Sequence, residues 1–473
     1  MNKLSDISFD KSAGRIVILI LMLFLPACAS YHPMKIGQHA IDAALKPPDI
    51  QKISIEARRM AHPLLKPVAI NLQNGLSPDE AAVLSVLTNP ALKSIRDQRD
   101  IAEAEIIQAG ILPNPQLSAN YDIPTGGNTA GTVNAYGLSL GWDFMSLIGR
   151  KDRIAAAKSE KAAVDLTIAW EEWQVAESAK LHLLHVLWAD RQLSLLKSKK
   201  NEFSQNLNVI RKAVALGAKT VVELAAAESA SKQMEITISG IAQEREQERL
   251  LLNQALGLPP EAIIPIEQAP LLDKWPILHG KKDFISGIPK RRPDLLALNM
   301  GYESQEARLR AAVLSQFPKI GINLNQASDT GDVHTTGLGV NVEFPFFDRA
   351  QGAIAIETAT RKKLYDEYMS RIFDARADIA AIGEKITSGR SRIEITKKSI
   401  NALQDLVNIY KIALDQGNAD ILSYYQAQSD LIAKHLELLQ QRQAVTDLGV
   451  AFETAAGVYF PFESANSNKY RGE

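Results

Sequence analysis

The sequence predicts a mainly helical fold with a small membrane-type β component, built from one strand–strand–long-helix unit present twice. Three observations carry this. Proline, arginine and glycine landmarks of the first half recur in the second at an offset of about 200 residues. Long proline-free runs follow each copy of the Arg landmark, and two short alternating segments precede it. Charge is balanced, with 53 basic and 54 acidic residues and a formal net charge of −1. With no block of one sign, nothing points to nucleic acid or to an acidic substrate.

The N-terminus is the exception to this even composition. Lys3, Lys11 and Arg15 precede an unbroken apolar run from Ile16 to Leu25, followed by Pro26, Ala27 and Cys28. A basic start, a short apolar core and small residues before a cleavage point describe a secretory signal over 1–27. The run is too short to span a bilayer, which takes roughly 20 apolar residues. Cys28 is the single cysteine of the chain and would become the first residue after cleavage. Leu25-Pro26-Ala27-Cys28 resembles a bacterial lipobox, with Pro26 as its departure, so Cys28 is the expected lipidation site. Three acyl chains there would anchor the protein far more firmly than one myristoyl group does. Ala29 after the cysteine matches the sorting pattern for the outer membrane, and residues 28–76 form a lipidated extension. One cysteine excludes a disulfide framework and a thiolate metal cluster.

The first copy of the unit spans 77–258 and the second 290–458, joined by a proline-marked linker at 259–289 and followed by a tail at 459–473. Asn89-Pro90-Ala91-Leu92 and Arg292-Pro293-Asp294-Leu295 each open a helix, and Pro115 and Pro318 stand at equal distances beyond them. Strands are expected at about 116–123 and 133–144, then at about 319–326 and 336–344. In the first, Leu117, Ala119 and Tyr121 alternate with Gln116, Ser118 and Asn120; in the last, Leu338, Val340 and Val342 alternate with Gly339, Asn341 and Glu343. Each has the length of a tilted transmembrane strand. Four strands cannot close a barrel, and lipid does not tolerate open edges, so three copies supplying twelve strands are the economical solution. The Ser, Asn, Asp and Glu faces suit an aqueous lumen.

Long helices are expected at about 150–216 and 219–256, and again at about 350–415 and 419–456. The first contains neither proline nor glycine after Arg150, enough for a helix of about 100 Å. Tyr424, Leu431, Leu438, Val445 and Phe452 recur every seven residues, the pattern of a coiled-coil seam. Gly217 and Gly417 interrupt the runs where a tight reversal between helices needs a left-handed residue.

These landmarks, taken together, resemble the TolC-like outer membrane factor family across nearly the whole mature chain. Beyond Arg292–Leu295 and the Asn89-Pro90 and Asn114-Pro115 pairs, the matches are Ala255–Pro259, the strand-to-helix junction Phe344–Arg349, and the hairpin tips Leu216–Thr220 and Gln416–Asp420. The resemblance implies a homotrimer with a 12-stranded barrel continuous with a 12-helix periplasmic tunnel. It also implies a passive exit duct docked to a periplasmic adaptor (a membrane fusion protein) and an inner-membrane efflux pump. Carried over residue by residue, the adaptor contacts fall on Leu216, Gly217, Gln416 and Gly417. The family often closes its tunnel with acidic residues just beyond the second tip glycine; here those positions read Ser423 and Gln426, which leaves Asp420 and Glu223 as candidate gate residues. The Asn-Pro pattern points toward the metal-cation branch, with small toxic compounds as the other cargo class.

No catalytic motif, phosphate loop or cofactor signature is present, and an enzyme is not expected. His182 and His185 lie three apart on a helix, but the sequence offers no third ligand beside them, and packing or helix–helix hydrogen bonding is the expected role. The rival to an exit duct is a lipid-anchored periplasmic coiled-coil protein of structural or adaptor type, whose β segments stay in water.

Overall fold

The computed structural model describes residues 30–47, 49–267 and 281–461. The signal segment and Cys28 lie outside the described residues, as do 268–280 of the linker and the tail beyond 461. The described residues up to Pro47, 30–47, belong to a small unit of their own, containing helix α1 (Gln38–Ala44). The repeated architecture belongs to the unit that starts at Pro48.

That unit begins with α2 (Ile50–Arg58) and then presents the repeated pattern. The first copy runs α3 (Pro78–Thr88), α4 (Pro90–Gly110), β1 (Gln116–Asp122), β2 (Ala135–Asp143), α5 (Arg150–Ala215) and α6 (Val221–Ala255). Two short helices, α7 (Lys281–Ser286) and α8 (Ile288–Arg291), lead into the second copy. It runs α9 (Pro293–Leu314), β3 (Lys319–Ser328), β4 (His334–Glu343), α10 (Gln351–Asp415) and α11 (Ile421–Ala456).

Local chemistry sets the helix ends. Ser77 and Glu80 form a reciprocal capping box at the start of α3, with Pro78 in the first turn, where its missing N–H costs nothing. Asn89 accepts from the Ala91 N–H to start α4. Gly257 and Gly457 end α6 and α11 at φ of +62° and +61°. Their lack of a side chain has a second use. A Cβ on Gly257 would stand 2.6 Å from the Thr88 carbonyl oxygen, and one on Gly457 would stand 2.9 Å from Arg292 Cγ. In each copy the glycine that ends the last helix therefore sits against the residues just before a proline-started helix, α4 in the first copy and α9 in the second.

With 66 residues, α5 is about 100 Å long. Its partner α6 packs along it through a seam of Leu196, Phe203 and Ile210 against Ala227 and Met234. In the second copy, Ile379, Ile386, Ile393, Ile400 and Val407 of α10 are all buried at seven-residue spacing. They face the predicted seam of α11, in which Tyr424, Leu431, Val445 and Phe452 are buried. The glycines of α10 do not break it. Gly389 instead lets α11 approach, since a Cβ there would lie 2.8 Å from Val445.

The main core lies around the middle of α5. Leu183, Leu184 and Trp188 pack there against Ala81, Val83 and Leu84 of α3, Leu252 of α6 and Val450 of α11. A neighbouring cluster joins Trp170 and Trp173 to Ala82, Val86 and Tyr459. Arg292 closes this region as a buried fork: Nε and Nη2 donate to the two Asp294 oxygens at 2.9 and 2.7 Å, and the guanidinium lies over the Trp170 ring. Its Nη1 donates to the Ala455 carbonyl, which ties the start of the second copy to the end of α11.

Candidate functional site

The four strands form one antiparallel sheet in the order β1-β2-β3-β4. Register decides what each face presents. Leu117 pairs with Leu140, Leu140 with Leu324 and Leu324 with Leu338, so one row of leucines crosses the whole sheet. The other face pairs Asn120 with Gly137, Asn323 with Gly141 and Gly339, and Asn325 with Ser139 and Gly337. Glycine opposite asparagine leaves room for each amide to lie along the sheet, and Ser139 Oγ donates to Asn325 Oδ1 at 2.5 Å. The glycines that alternate in the sequence thus make a shallow polar surface.

The apolar face is bare. Leu338 is 75% exposed, and Leu117, Leu140, Leu324 and Val340 are exposed as well. Both rims carry aromatic residues: Tyr121 and Tyr136 beside the loops, and Trp142, Phe144, Phe344, Phe346 and Phe347 beside the helices. Phe347 is 96% exposed. An apolar band between two aromatic rims is the pattern carried by the outer surface of membrane barrels. The rims were not read from the sequence, although the β2 segment shows aromatics at both of its ends, Tyr136 at one and Trp142 and Phe144 at the other. Strands β1 and β4 are the two edges, unpaired on their outer sides within one chain.

The far end of the helices holds the four predicted contact residues at two matching turns. Gly217 and Gly417 take φ of +71° and +75°, and a Cβ added to either would meet nothing within 4 Å. Each turn closes the same way: Ala218 N–H donates to Ala213 and Asn418 N–H donates to Ala413, six residues bridged at the helix end. Leu216 is 84% exposed, and Val221 and Val222 beside it are exposed. The turns lie side by side, because Val214, Leu224, Leu414 and Ile421 share one apolar cluster.

Both candidate gate carboxylates cap helices at these turns. Asp420 accepts from Ser423 N–H at 2.9 Å and from Ser423 Oγ at 2.8 Å, and these bonds hold its pKa below the usual range. Glu223 accepts from Lys219 Nζ, the Thr220 N–H and the Thr220 hydroxyl; led by the Lys219 bond, they lower its pKa too. Both are therefore negative charges at neutral pH.

Two charged clusters lie on α5, one around Lys180 that went unread in the sequence and one around the histidine pair, whose partners the sequence did not supply. Lys180, fully buried, donates to Glu453 Oε2 of α11 at 2.6 Å and to the Phe460 carbonyl at 3.3 Å. Glu177 is buried beside them, and burial above all holds its carboxyl well above the ordinary value, Lys180 offsetting only part of this. Nearby, His182 Nδ1 lies 2.7 Å and His185 Nδ1 3.3 Å from the same oxygen of Glu248 on α6. His185 Nε2 lies 3.0 Å from Asp447 of α11. Burial works against a charged ring at His185, but the bond and charge of Asp447, with Glu248 adding, raise its pKa. The third group that the sequence did not place beside the histidines is Glu248.

Comparison with known proteins gives this geometry its context. The family described as "Outer membrane efflux protein" matches residues 83–258 and 285–458, which is more than half of the chain and both copies of the unit. A cobalt-zinc-cadmium resistance protein, CzcC of Cupriavidus metallidurans, is 20% identical over 382 residues, covering 79% of this chain and 89% of its own length. Among solved structures, CusC, described as undergoing transmembrane channel formation, superposes with a TM-score of 0.70 at 18% identity, covering 85% of this chain and 98% of its own. The outer membrane protein VceC of Vibrio cholerae gives 0.67 at 17% identity, covering 81% and 97%. Among the described residues no helix is long and apolar enough to cross a membrane.

Proposed function

This chain belongs to the outer membrane efflux protein family, and from that premise we propose that three copies of it close a twelve-stranded barrel to which each contributes its four-stranded sheet. Channels of this family are non-enzymatic, sit in the outer membrane with a periplasmic helical tunnel, and act as trimers in tripartite pumps with an adaptor and an inner-membrane pump. The observation that carries the reading is the sheet: one face bare and apolar, the other polar, and both edges open. Each unpaired backbone group in hydrocarbon costs several kcal/mol, so an open edge as long as β4 would cost on the order of tens of kcal/mol. Pairing β1 of one copy with β4 of the next removes that cost and turns the Asn, Ser and Gly face into a wetted lumen.

The remaining roles rest on that assembly. Leu216, Gly217, Gln416 and Gly417, at exposed turns about 100 Å from the sheet, meet the periplasmic adaptor. Asp420, repeated threefold, narrows the tunnel mouth as a ring of negative charge, with Glu223 beside it. Cys28 carries lipid at the outer membrane. The duct is passive, and the inner-membrane pump supplies the energy. The cargo is metal cations or small toxic compounds; kinship with a cobalt-zinc-cadmium resistance protein favours the cations.

Planar bilayers test the duct and its gate together. The purified protein should give discrete conductance steps, and D420N should raise them. Asparagine caps a helix as well as aspartate does, so this change removes the charge and keeps the turn. Unchanged steps in D420N would discard the gate assignment, and no conductance at all would discard the duct.

A further inference from the structure

The histidine pair of α5 occupies an unexpected place in the seam. Counting back by sevens from Ile210 through Phe203, Leu196 and Ala189, all buried, the next seam position is His182. Counting forward on α6 from Ala227 through Met234 and Ile241, the next is Glu248. An apolar seam thus ends in a facing imidazole and carboxylate, at positions where a polar residue costs stability and serves specificity instead. One histidine would satisfy one carboxylate oxygen. Here a second, three residues on, turns its Nδ1 to the same oxygen, and the two rings stand edge to face with centroids 6.4 Å apart.

We propose that His182 Nδ1, His185 Nδ1 and Glu248 form a binding site for a borderline divalent transition-metal ion, of the Zn²⁺ or Co²⁺ class. The donor set selects this class. Two imidazoles and a carboxylate suit zinc and its neighbours, whereas calcium and magnesium require oxygen ligands and copper(I) prefers sulfur. One ligand atom from each of the three residues already lies within 4.8 Å of the other two, and both Nδ1 atoms lie within 3.3 Å of one Glu248 oxygen. A four-coordinate ion with bonds of about 2.0–2.2 Å places its donors about 3.3–3.5 Å apart, so rotamer adjustments of about an ångström seat it. Asp447 completes the arrangement from α11. By holding His185 Nε2 at 3.0 Å it keeps the proton on that nitrogen and frees Nδ1 for metal, the carboxylate–histidine–metal relay of natural zinc sites. The side chains of His182, His185 and Glu248 keep 17–21% of their surface exposed, which leaves a path for the ion and room for water as a fourth ligand.

The consequence is mechanical as well as chemical. An ion here joins α5 to α6 within the first copy and, through Asp447, to α11 of the second. It is a resident of the helical wall and not cargo in transit, so the site stands whichever compound the duct carries.

Cobalt titration tests this on the full-length protein in detergent after chelator treatment. Co²⁺ should bind at one ion per chain with visible absorption bands of nitrogen-ligated, low-coordinate cobalt, and Zn²⁺ should abolish them. H185Q and E248Q should each weaken binding at least ~10-fold, and D447N should do so by ~10-fold with the bands kept. The double variant H182L/E248L, which continues the apolar seam and so protects the fold, should bind no cobalt and show no bands. Absence of bands in the unaltered protein, or unchanged stoichiometry and affinity in H182L/E248L, overturns the proposal.

Discussion

Lys180 is held by groups that lie more than 270 residues away in the chain, and nothing in its local sequence announces them. The cluster is a buried ion pair with a second carboxyl beside it, and its parts differ in what they contribute. Removing the lysine strands Glu453 in the core, so K180M should lower stability by about 3–5 kcal/mol, measured by thermal or denaturant unfolding of the detergent-solubilised protein. Glu177 sets a pH dependence. Its folded pKa lies above the ordinary value of 4.5, so above pH 4.5 the unfolded chain releases this proton while the folded protein keeps it. Stability from this group is complete below that pH and is lost as pH rises through the folded value. E177Q should flatten that decline in melting curves taken across pH; a decline of the same slope in E177Q would assign it to another group. At this scale the sequence announced positions that its own punctuation marks, such as Gly217, Gly417 and the Arg292–Leu295 turn. It concealed pairs made by folding. Yet Gly217 stands almost midway between His185 and Glu248, so a reflection of α5 about that turn would have brought the two together.

Among elements, the glycines that end helices separate into two kinds. Gly257 and Gly457 are both left-handed and crowded; Gly217 and Gly417 are left-handed in open space. Alanine at Gly217 or Gly417 adds backbone strain alone, about 1–2 kcal/mol. Alanine at Gly257 or Gly457 adds a clash with backbone or with Arg292 on top of that strain. G257A and G457A should therefore lower the melting temperature clearly more than G217A and G417A; equal shifts would show that the close approach has no energetic weight. Helix extents followed from proline-free length, and the α11 seam from its heptad. The matching heptad of α10, Ile379 to Val407, was obscured by Gly383 and Gly389, residues that weaken a helix in isolation. Packing overrides that weakness, because Gly389 gives α11 its close approach at Val445. Strand ends moved for a comparable reason. The pairing of His334 with Ser328 and of Thr335 with Ala327 extends β3 and β4 into what reads as a polar loop.

For the whole molecule, the decisive property is incompleteness. The sequence carried this in its repeat count and in four alternating segments, and the structure arranges them as a sheet with an exposed apolar face, a polar face and two open edges. What the sequence could not carry is the register, in which glycine opposes asparagine across three strand pairs, since that depends on which residues meet only after pairing. Lipid then determines the rest: a chain with open strands in hydrocarbon must find others. Counting subunits is the most direct test. Native mass spectrometry of the protein released from detergent should give a species of three times the subunit mass, which is 51.9 kDa for the full sequence. A single-chain species, or one of two chains, would contradict the account.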